Sequence, residues 1–305
     1  MDAIGLPSTF FTAPPHWRWL IVSYFFIGGL AGGCYFLAAL LDLVGSPRDR
    51  ALARLGYLVA FPAVLVCGVL LIVDLGRPER FWHMLVQSNT GRLMLKTYSP
   101  MSLGAWALLV FGGFAFLSFL AALHDGGRGW RWAAALRPPG VLGILIVIGG
   151  GLGGLFLAGY TGLLLAVTNR PIWSDTSVLG MTFVISAAST SSALLLLLGR
   201  RWAAGASLAR LARFESVVLV LEIFALVALV LSLGPLVQVW LDVWGALLLL
   251  GVVGVGILIP LALRLGPRRR EAAAAGTVGA LLVLIGGLIF RIVIVLSSEH
   301  LGLVV

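Results

Sequence analysis

From Trp17 onward the sequence repeats one pattern: an unbroken apolar stretch of roughly 22 to 28 residues, then a link in which arginine, proline and glycine collect. A bilayer core of about 30 Å takes roughly 20 helical residues to cross. Eight stretches are that long, at approximately 18–45, 52–74, 101–123, 140–167, 177–199, 213–234, 238–263 and 275–297. Their apolar positions run continuously instead of alternating, which predicts helices and not the strands of a barrel. Pro62 and Pro260 fall inside predicted spans, where neighbouring helices can satisfy the carbonyls a proline frees. The pattern predicts an all-α polytopic membrane bundle of eight transmembrane helices, forming one domain over 1–305.

Composition removes the other classes. Of 305 residues 60% are hydrophobic and 11% charged, against about 25% charged in an ordinary soluble chain, so no soluble fold has the polar surface to cover this one. A net charge of +9 would suggest a nucleic-acid partner in a soluble protein. Here the cations sit in the links and report topology. The links after spans one, three, five and seven hold 14 of the 21 Lys and Arg, and the opposite links hold six. The positive-inside rule then puts both termini outside. The first apolar run has no Lys or Arg before it and no small-residue cleavage site after a short core, so it reads as a span and not a cleaved signal peptide. The outer face also receives the one long link, Leu75 to Pro100, which opens on the run Asp74 to His83, DLGRPERFWH. Links of that length in tight bundles are more often functional than idle, which favours a docking or gating role over a plain connector. Its stretch from Glu79 to Gln87 could form a short interfacial helix.

Side chains with chemistry are few. His16, His83, His124 and His300 lie at span ends or in links, so no pair can clamp a haem inside the bundle. The two cysteines, Cys34 and Cys67, fall short of the four thiolates an iron–sulfur cluster usually needs. His16 abuts Trp17 and Trp19 at the outer mouth of span one. Ionisable groups at membrane depth are costly and therefore candidate functional groups. Glu222 lies about 9 residues, or roughly 13 Å, beyond Arg213. With Glu215 below it, it suits either a proton relay from the cytoplasmic side or a neutral acid bonded to a neighbouring helix. Arg291, in the outer half of span eight, must find a carboxylate, a carbonyl or a wet cavity. Asp74 and Asp242 occupy similar depth, so the choice is between a structural ion pair and the lining of an outward-facing cavity. Tyr160, flanked by Gly159 and Gly162, is either a donor to a quinone carbonyl or an interfacial aromatic. The clusters Gly28-Gly29-Leu30-Ala31-Gly32-Gly33 and Gly149-Gly150-Gly151-Leu152-Gly153-Gly154 read as helix-packing surfaces.

Taken in order, several of these stretches resemble the NrfD family of quinone-reactive membrane subunits. They are Gly28 to Gly33 in span one, Asp74 to Phe81, and Ser99 to Trp106 entering span three. Gly159-Tyr160-Thr161-Gly162-Leu163-Leu164 with Pro171-Ile172-Trp173 follows, and then Gly286 to Arg291 in the last span. The resemblance implies a haem-free subunit, not an autonomous enzyme, in the cytoplasmic (inner) membrane of a bacterium or archaeon. Such a subunit exchanges electrons between a pool of menaquinone or ubiquinone and an iron–sulfur subunit of ferredoxin-like, four-cluster type on the outer face. That partner is usually bound in turn to a molybdopterin catalytic subunit, which sets the terminal substrate. The resemblance also implies a quinone pocket near the outer ends of spans one to four with Tyr160 among its contacts. The histidine that faces the quinone in the polysulfide enzyme falls on Tyr24 here. On this reading Tyr160, Tyr24, His16, Asp74 and Arg291 are the quinone-site candidates, Glu215 and Glu222 a proton path, and Arg77, Arg80, Trp82 and His83 the docking surface.

A secondary transporter is the rival class, since buried Glu222 and Arg291 and glycine- or proline-interrupted helices suit it too. The two four-span halves show no convincing internal repeat, which argues against it.

Overall fold

The computed structural model describes residues 17–168, 170–265 and 272–301. His16 and Arg268 to Arg270 lie outside the described residues. Eight helical units among these are long and apolar enough to cross a membrane. Six are single helices: α1 Trp19–Leu43, α2 Arg50–Asp74, α3 Pro100–Asp125, α4 Val141–Ala166, α5 Leu179–Gly199 and α6 Gly205–Leu233. The seventh unit is composite, with α7 Val243–Ala246, a π-helical stretch Leu247–Leu258 and α8 Ile259–Leu265, and α9 Ala272–Leu301 is the eighth.

Local chemistry marks several ends. Before α2, the Ser46 backbone N–H donates to Asp49 Oδ2 (2.8 Å) while Pro47 opens the turn. Pro100 occupies the first turn of α3, where its missing N–H costs nothing. Asp242 caps α7 by accepting from the Trp244 N–H (2.8 Å). Gly234, at φ +53°, turns the chain out of α6 into a 3-10 segment, Gly234–Trp240.

Helices α1 to α4 close into one four-helix half, with α1 against α2 and α4, and α3 bridging α2 and α4. Helices α5, α6, the composite seventh span and α9 form the other. The halves meet along α1, which packs on both α5 and α9, and α4 adds a contact with α5. The glycine cluster of α1 permits this, because its members face three neighbours. A Cβ at Gly32 would overlap the Gly154 carbonyl of α4, and one at Gly33 would overlap Ser191 Oγ of α5. Gly28 faces Cys67 of α2, while Gly29 faces Ala187 of α5. Gly29 and Gly33, four apart, thus both serve α5, while Gly28 and Gly32 turn to α2 and α4, and backbones approach where side chains would hold them apart.

Two expectations change. Helix α6 begins at Gly205, eight residues before the predicted 213, because its arginine-bearing first turns are held by partners at the membrane edge. Arg210 pairs with Asp49 (2.6 Å), and Ser207 Oγ donates to the Arg48 carbonyl (3.3 Å). The short helix expected over Glu79 to Gln87 is a 3-10 helix at Pro78–Met84, ending three residues earlier. A tight turn follows, in which the Gln87 N–H donates to the Arg92 carbonyl (2.8 Å) and Val86 bridges Leu93.

Replacing Gly32 by valine is expected to cost at least the about 1–3 kcal/mol of an overpacked core, because the obstacle is backbone and cannot rotate away. Gly68→Ala, with nothing within 4 Å of the new carbon, should be tolerated. Thermal melting of the purified protein in detergent compares the two.

Candidate functional site

The long link, the Thr168–Val178 connection and the C-terminal end of α9 lie at one end of the bundle, the loop face. Two phenols sit just inside it in the first half. Tyr24 is one turn and a half into α1 and 3% exposed, and Cys67 of α2 and Gly28 flank it. Its hydroxyl has no hydrogen-bond partner among the described residues. Tyr160, from α4, is 5% exposed and within electrostatic reach of Tyr24. Its hydroxyl donates to the Pro100 carbonyl at the start of α3 (2.6 Å), and its ring lies where a side chain at Gly104 would be. The phenol is therefore anchored across α3 and α4, with Phe156 stacked beside it at 5.6 Å.

Above Tyr24, residues 170–178 of the connection form a roof. The Trp173 indole stacks on Trp17 (5.4 Å) and donates to the Ile294 carbonyl of α9 (2.7 Å). Arg170 lies over the same indole at 5.6 Å. Ile172, fully buried, holds φ +71°, a strained conformation for a β-branched residue. The Asp175 carboxylate fixes it by accepting from the Ile172 N–H (2.9 Å), and Ser298 Oγ donates to the Pro171 carbonyl (2.9 Å). From Trp17 an aromatic contact runs to Phe25, Tyr24's neighbour, and from Phe25 to Phe183 of α5 (6.0 Å).

Arg291 lies beyond Phe183, in the core of the second half. It is 1% exposed, and its guanidinium donates to Ser186 Oγ (2.6 Å) and the Gly287 carbonyl (2.9 Å). The faces of Phe26, Phe183 and Phe290 surround it at 5.3 to 5.9 Å. Neither carboxylate matched to it by depth is its partner. Asp74 is exposed at the loop face and Asp242 is spent on its helix cap. The nearest acid is Glu222, within electrostatic reach but outside ion-pair distance among the described contacts. Glu222, 3% exposed, accepts from Ser189 Oγ (2.7 Å). Two turns along α6, fully buried Glu215 is ion-paired with Arg264 of α8, which also donates to the Ala212 carbonyl (2.9 Å). Glu215 and Glu222 thus stand on one line, Arg264–Glu215–Glu222–Ser189–Ser186–Arg291, from the arginine-rich end to mid-membrane. The line stays in the second half, apart from the two phenols.

Arg77 and Arg80 are exposed and help line an open cleft of about 460 Å³ with Leu75, Gly76 and Met84. Trp82 is exposed and tilts against half-buried His83, ring centres 3.9 Å apart. The four docking candidates lie on or next to the 3-10 helix Pro78–Met84, and Phe81, Leu93 and Tyr98 are exposed on the same link.

A model of the family described as Polysulphide reductase, NrfD matches residues 8–300. The chain is a member of the NrfD family. A protein of Wolinella succinogenes named as one of the chains of polysulfide reductase is 28% identical to it, over 93% of this sequence and 94% of that one. Protein NrfD of Escherichia coli is 27% identical over 93% and 95%. A shorter match joins it to a selenate reductase subunit of Mesobacillus selenatarsenatis, 27% identical over 30% of this sequence and 21% of that protein. With eight helical units long and apolar enough to cross a membrane among the described residues, this NrfD-family protein is a multi-pass membrane protein.

Two features of the NrfD-family site were not singled out from the sequence. The run Ser186-Ala187-Ala188-Ser189-Thr190-Ser191-Ser192 supplies the hydroxyls that meet Arg291 and Glu222. Its density of hydroxyls in the middle of a span was a readable signal. The carbonyl of Pro100 as Tyr160's acceptor left no signal, since a backbone atom has no sequence signature.

Glu215→Gln should destabilise the protein toward the low end of the about 3–5 kcal/mol that follows removal of one partner from a buried ion pair. Arg264, 14% exposed, can recover part of its hydration. Ser189→Ala should cost only about 1–3 kcal/mol, and melting curves of the two variants rank them.

Proposed function

We propose that this protein is the haem-free, quinone-reactive subunit of a respiratory oxidoreductase complex. A menaquinone or ubiquinone head group occupies the loop-face end of the α1–α4 half and exchanges electrons with an iron–sulfur subunit docked on the link. The observation that carries the reading is Tyr24: a phenol on a residue only 3% exposed, whose hydroxyl bonds no described residue, beside a second phenol locked in place. A hydroxyl that spends its proton on no protein acceptor can donate to a ligand, and a quinone carbonyl is an acceptor of the right chemistry. Tyr160, already donating to Pro100, keeps lone pairs and stacks as a wall of the site. Trp17 and Trp173 close it from above.

The arginine distribution supports putting the loop face outside, in a bacterial or archaeal cytoplasmic membrane on this reading. The partner then meets Arg77, Arg80, Trp82 and His83 there, and being of ferredoxin-like, four-cluster type it passes electrons to or from a molybdopterin subunit. The relatives that are named as parts of polysulfide and selenate reductases support this placement in a complex. Glu215 and Glu222 offer a polar line from the opposite face for protons. The transporter reading draws on Glu222, Arg291 and the glycine- or proline-interrupted helices and leaves the loop-face phenols and the link without a role.

In the assembled complex, Tyr24→Phe is expected to raise the KM for quinol and lower turnover at least tenfold, with the melting temperature unchanged because no protein hydrogen bond is lost. Tyr160→Phe should lower both turnover and melting temperature. Wild-type quinol oxidation by the double variant would refute the proposal.

A further inference from the structure

The link between α3 and α4, at the arginine-rich end, presents a surface that electron transfer at the loop face does not use. Gly127, at φ +74°, turns the chain out of α3, and a Cβ at Gly129 would overlap the His124 backbone, so the link folds back against the end of that helix. A 3-10 helix, Arg131–Leu136, follows. Its inner side chains, Ala133 and Leu136, are buried against Leu120 and Ala121 of α3 and Ile146 of α4. Leu120 and Ile146 each lie five residues inside their helix ends, about 7 Å along the axis at 1.5 Å per residue. The link therefore lies beside the membrane-crossing ends of α3 and α4 and not beyond them. Arg137 pins its far end by pairing with Asp42 of α1 (2.7 Å) and with Asp125. The outer side carries two indoles. Trp130 is 62% and Trp132 56% exposed, and their rings stack at 17° with centres 6.2 Å apart. Arg128 and Arg131 alternate with them in sequence and are exposed, with no carboxylate at ion-pair distance among the described residues. Asp125, the acid closest along the chain, is spent on Arg137. Exposed Val141, Leu142 and Leu145 continue the apolar surface along the first turns of α4.

Indoles collect where hydrocarbon meets headgroups, because the ring is apolar and its N–H still needs a polar partner. Guanidinium groups without a protein carboxylate match the geometry of a phosphate, to which they can donate in pairs. Anionic lipids are concentrated in the cytoplasmic leaflet, and the arginine distribution points this end of the bundle to that side. We propose that the α3–α4 link is a binding site for an anionic phospholipid, with Arg128 and Arg131 on the headgroup phosphate and the Trp130–Trp132 pair against the glycerol and upper acyl chain below it. Charge and depth both favour lipid as the occupant: the surface is cationic, and a soluble protein would have to pass the headgroup layer to reach indoles set beside the ends of the spans. The site stands apart from the quinone reading, since none of its residues lies at the loop face.

The test places the purified full chain in phosphatidylcholine nanodiscs at low salt, with a titrated fraction of dibrominated phosphatidylglycerol or, in parallel, dibrominated phosphatidylcholine. Subtracting the emission of Trp130→Phe/Trp132→Phe isolates the two indoles from the rest of the ten tryptophans. Brominated phosphatidylglycerol should quench this signal at a lower fraction than brominated phosphatidylcholine. Each arginine near an anionic surface is worth about fivefold in binding, so Arg128→Gln/Arg131→Gln should reduce the preference about 30-fold, with the melting temperature unchanged. Arg128→Lys/Arg131→Lys should keep most of the preference. Arg201→Gln/Arg213→Gln, which removes the same charge from exposed positions elsewhere on that end, should leave it intact. Equal quenching by the two lipids in wild type overturns the proposal, and so does an equal loss in Arg201→Gln/Arg213→Gln, which reduces the preference to net charge. Relief of quenching by inorganic phosphate assigns the arginines to a free anion and overturns it as well. A map of the assembled complex with protein instead of lipid on the indole pair does the same.

Discussion

The close approach of α1 to its neighbours holds the two halves of the bundle together. Gly32 against Gly154 and Gly33 against Ser191 bring α4 and α5 up to the α1 backbone on two sides. In lipid there is little hydrophobic gain from helix association, so packing and hydrogen bonding must hold the bundle together. A helix with small residues on two faces can then join two four-helix halves. Because α1 is that helix, it carries Tyr24 at the loop face, Gly29 against Arg291 at mid-depth, and Tyr35 and Asp42 near the other end.

The polar groups inside the bundle follow from the cost of burying them. Arg291 cannot shed its charge and has no carboxylate at ion-pair distance among the described residues. It is instead stabilised by a hydroxyl, a backbone carbonyl and three aromatic faces, whose quadrupoles attract a cation in a dry site. Where water is near, the solution differs: Glu215 with Arg264 and Asp42 with Arg137 are direct pairs close to the arginine-rich end. The loop face uses stacked indoles and a strained Ile172 to cover the site, and strain of this kind persists where surrounding contacts over-determine it.

Most of the span pattern is legible along the chain because membrane insertion acts on each segment separately. Seven of the eight predicted spans begin and end within about five residues of the helices observed, since about 20 apolar residues are a local requirement. The remaining one, α6, starts earlier than its pattern predicts because Arg210 and Arg213 look like a link. Whether an arginine ends a helix depends on a partner such as Asp49, 161 residues away. Tyr24 and Tyr160 can be picked out from the resemblance, but their different states cannot. One is anchored to Pro100 and the other is left unpaired.

Hydropathy and ordered motifs, which are properties of the chain read along its length, are enough to define the membrane class, the number of spans, the family and the short list of polar residues. Which of those residues meet became visible with the packed bundle alone. Packing separates Arg291 from Asp74 and Asp242, and puts Glu215 and Glu222 in a different half from the phenols. It also anchors the Tyr160 hydroxyl on the Pro100 carbonyl while no described residue accepts from Tyr24. Pairing is settled by helix rotation and by approaches of backbone to backbone between spans far apart in sequence, and no local pattern encodes those.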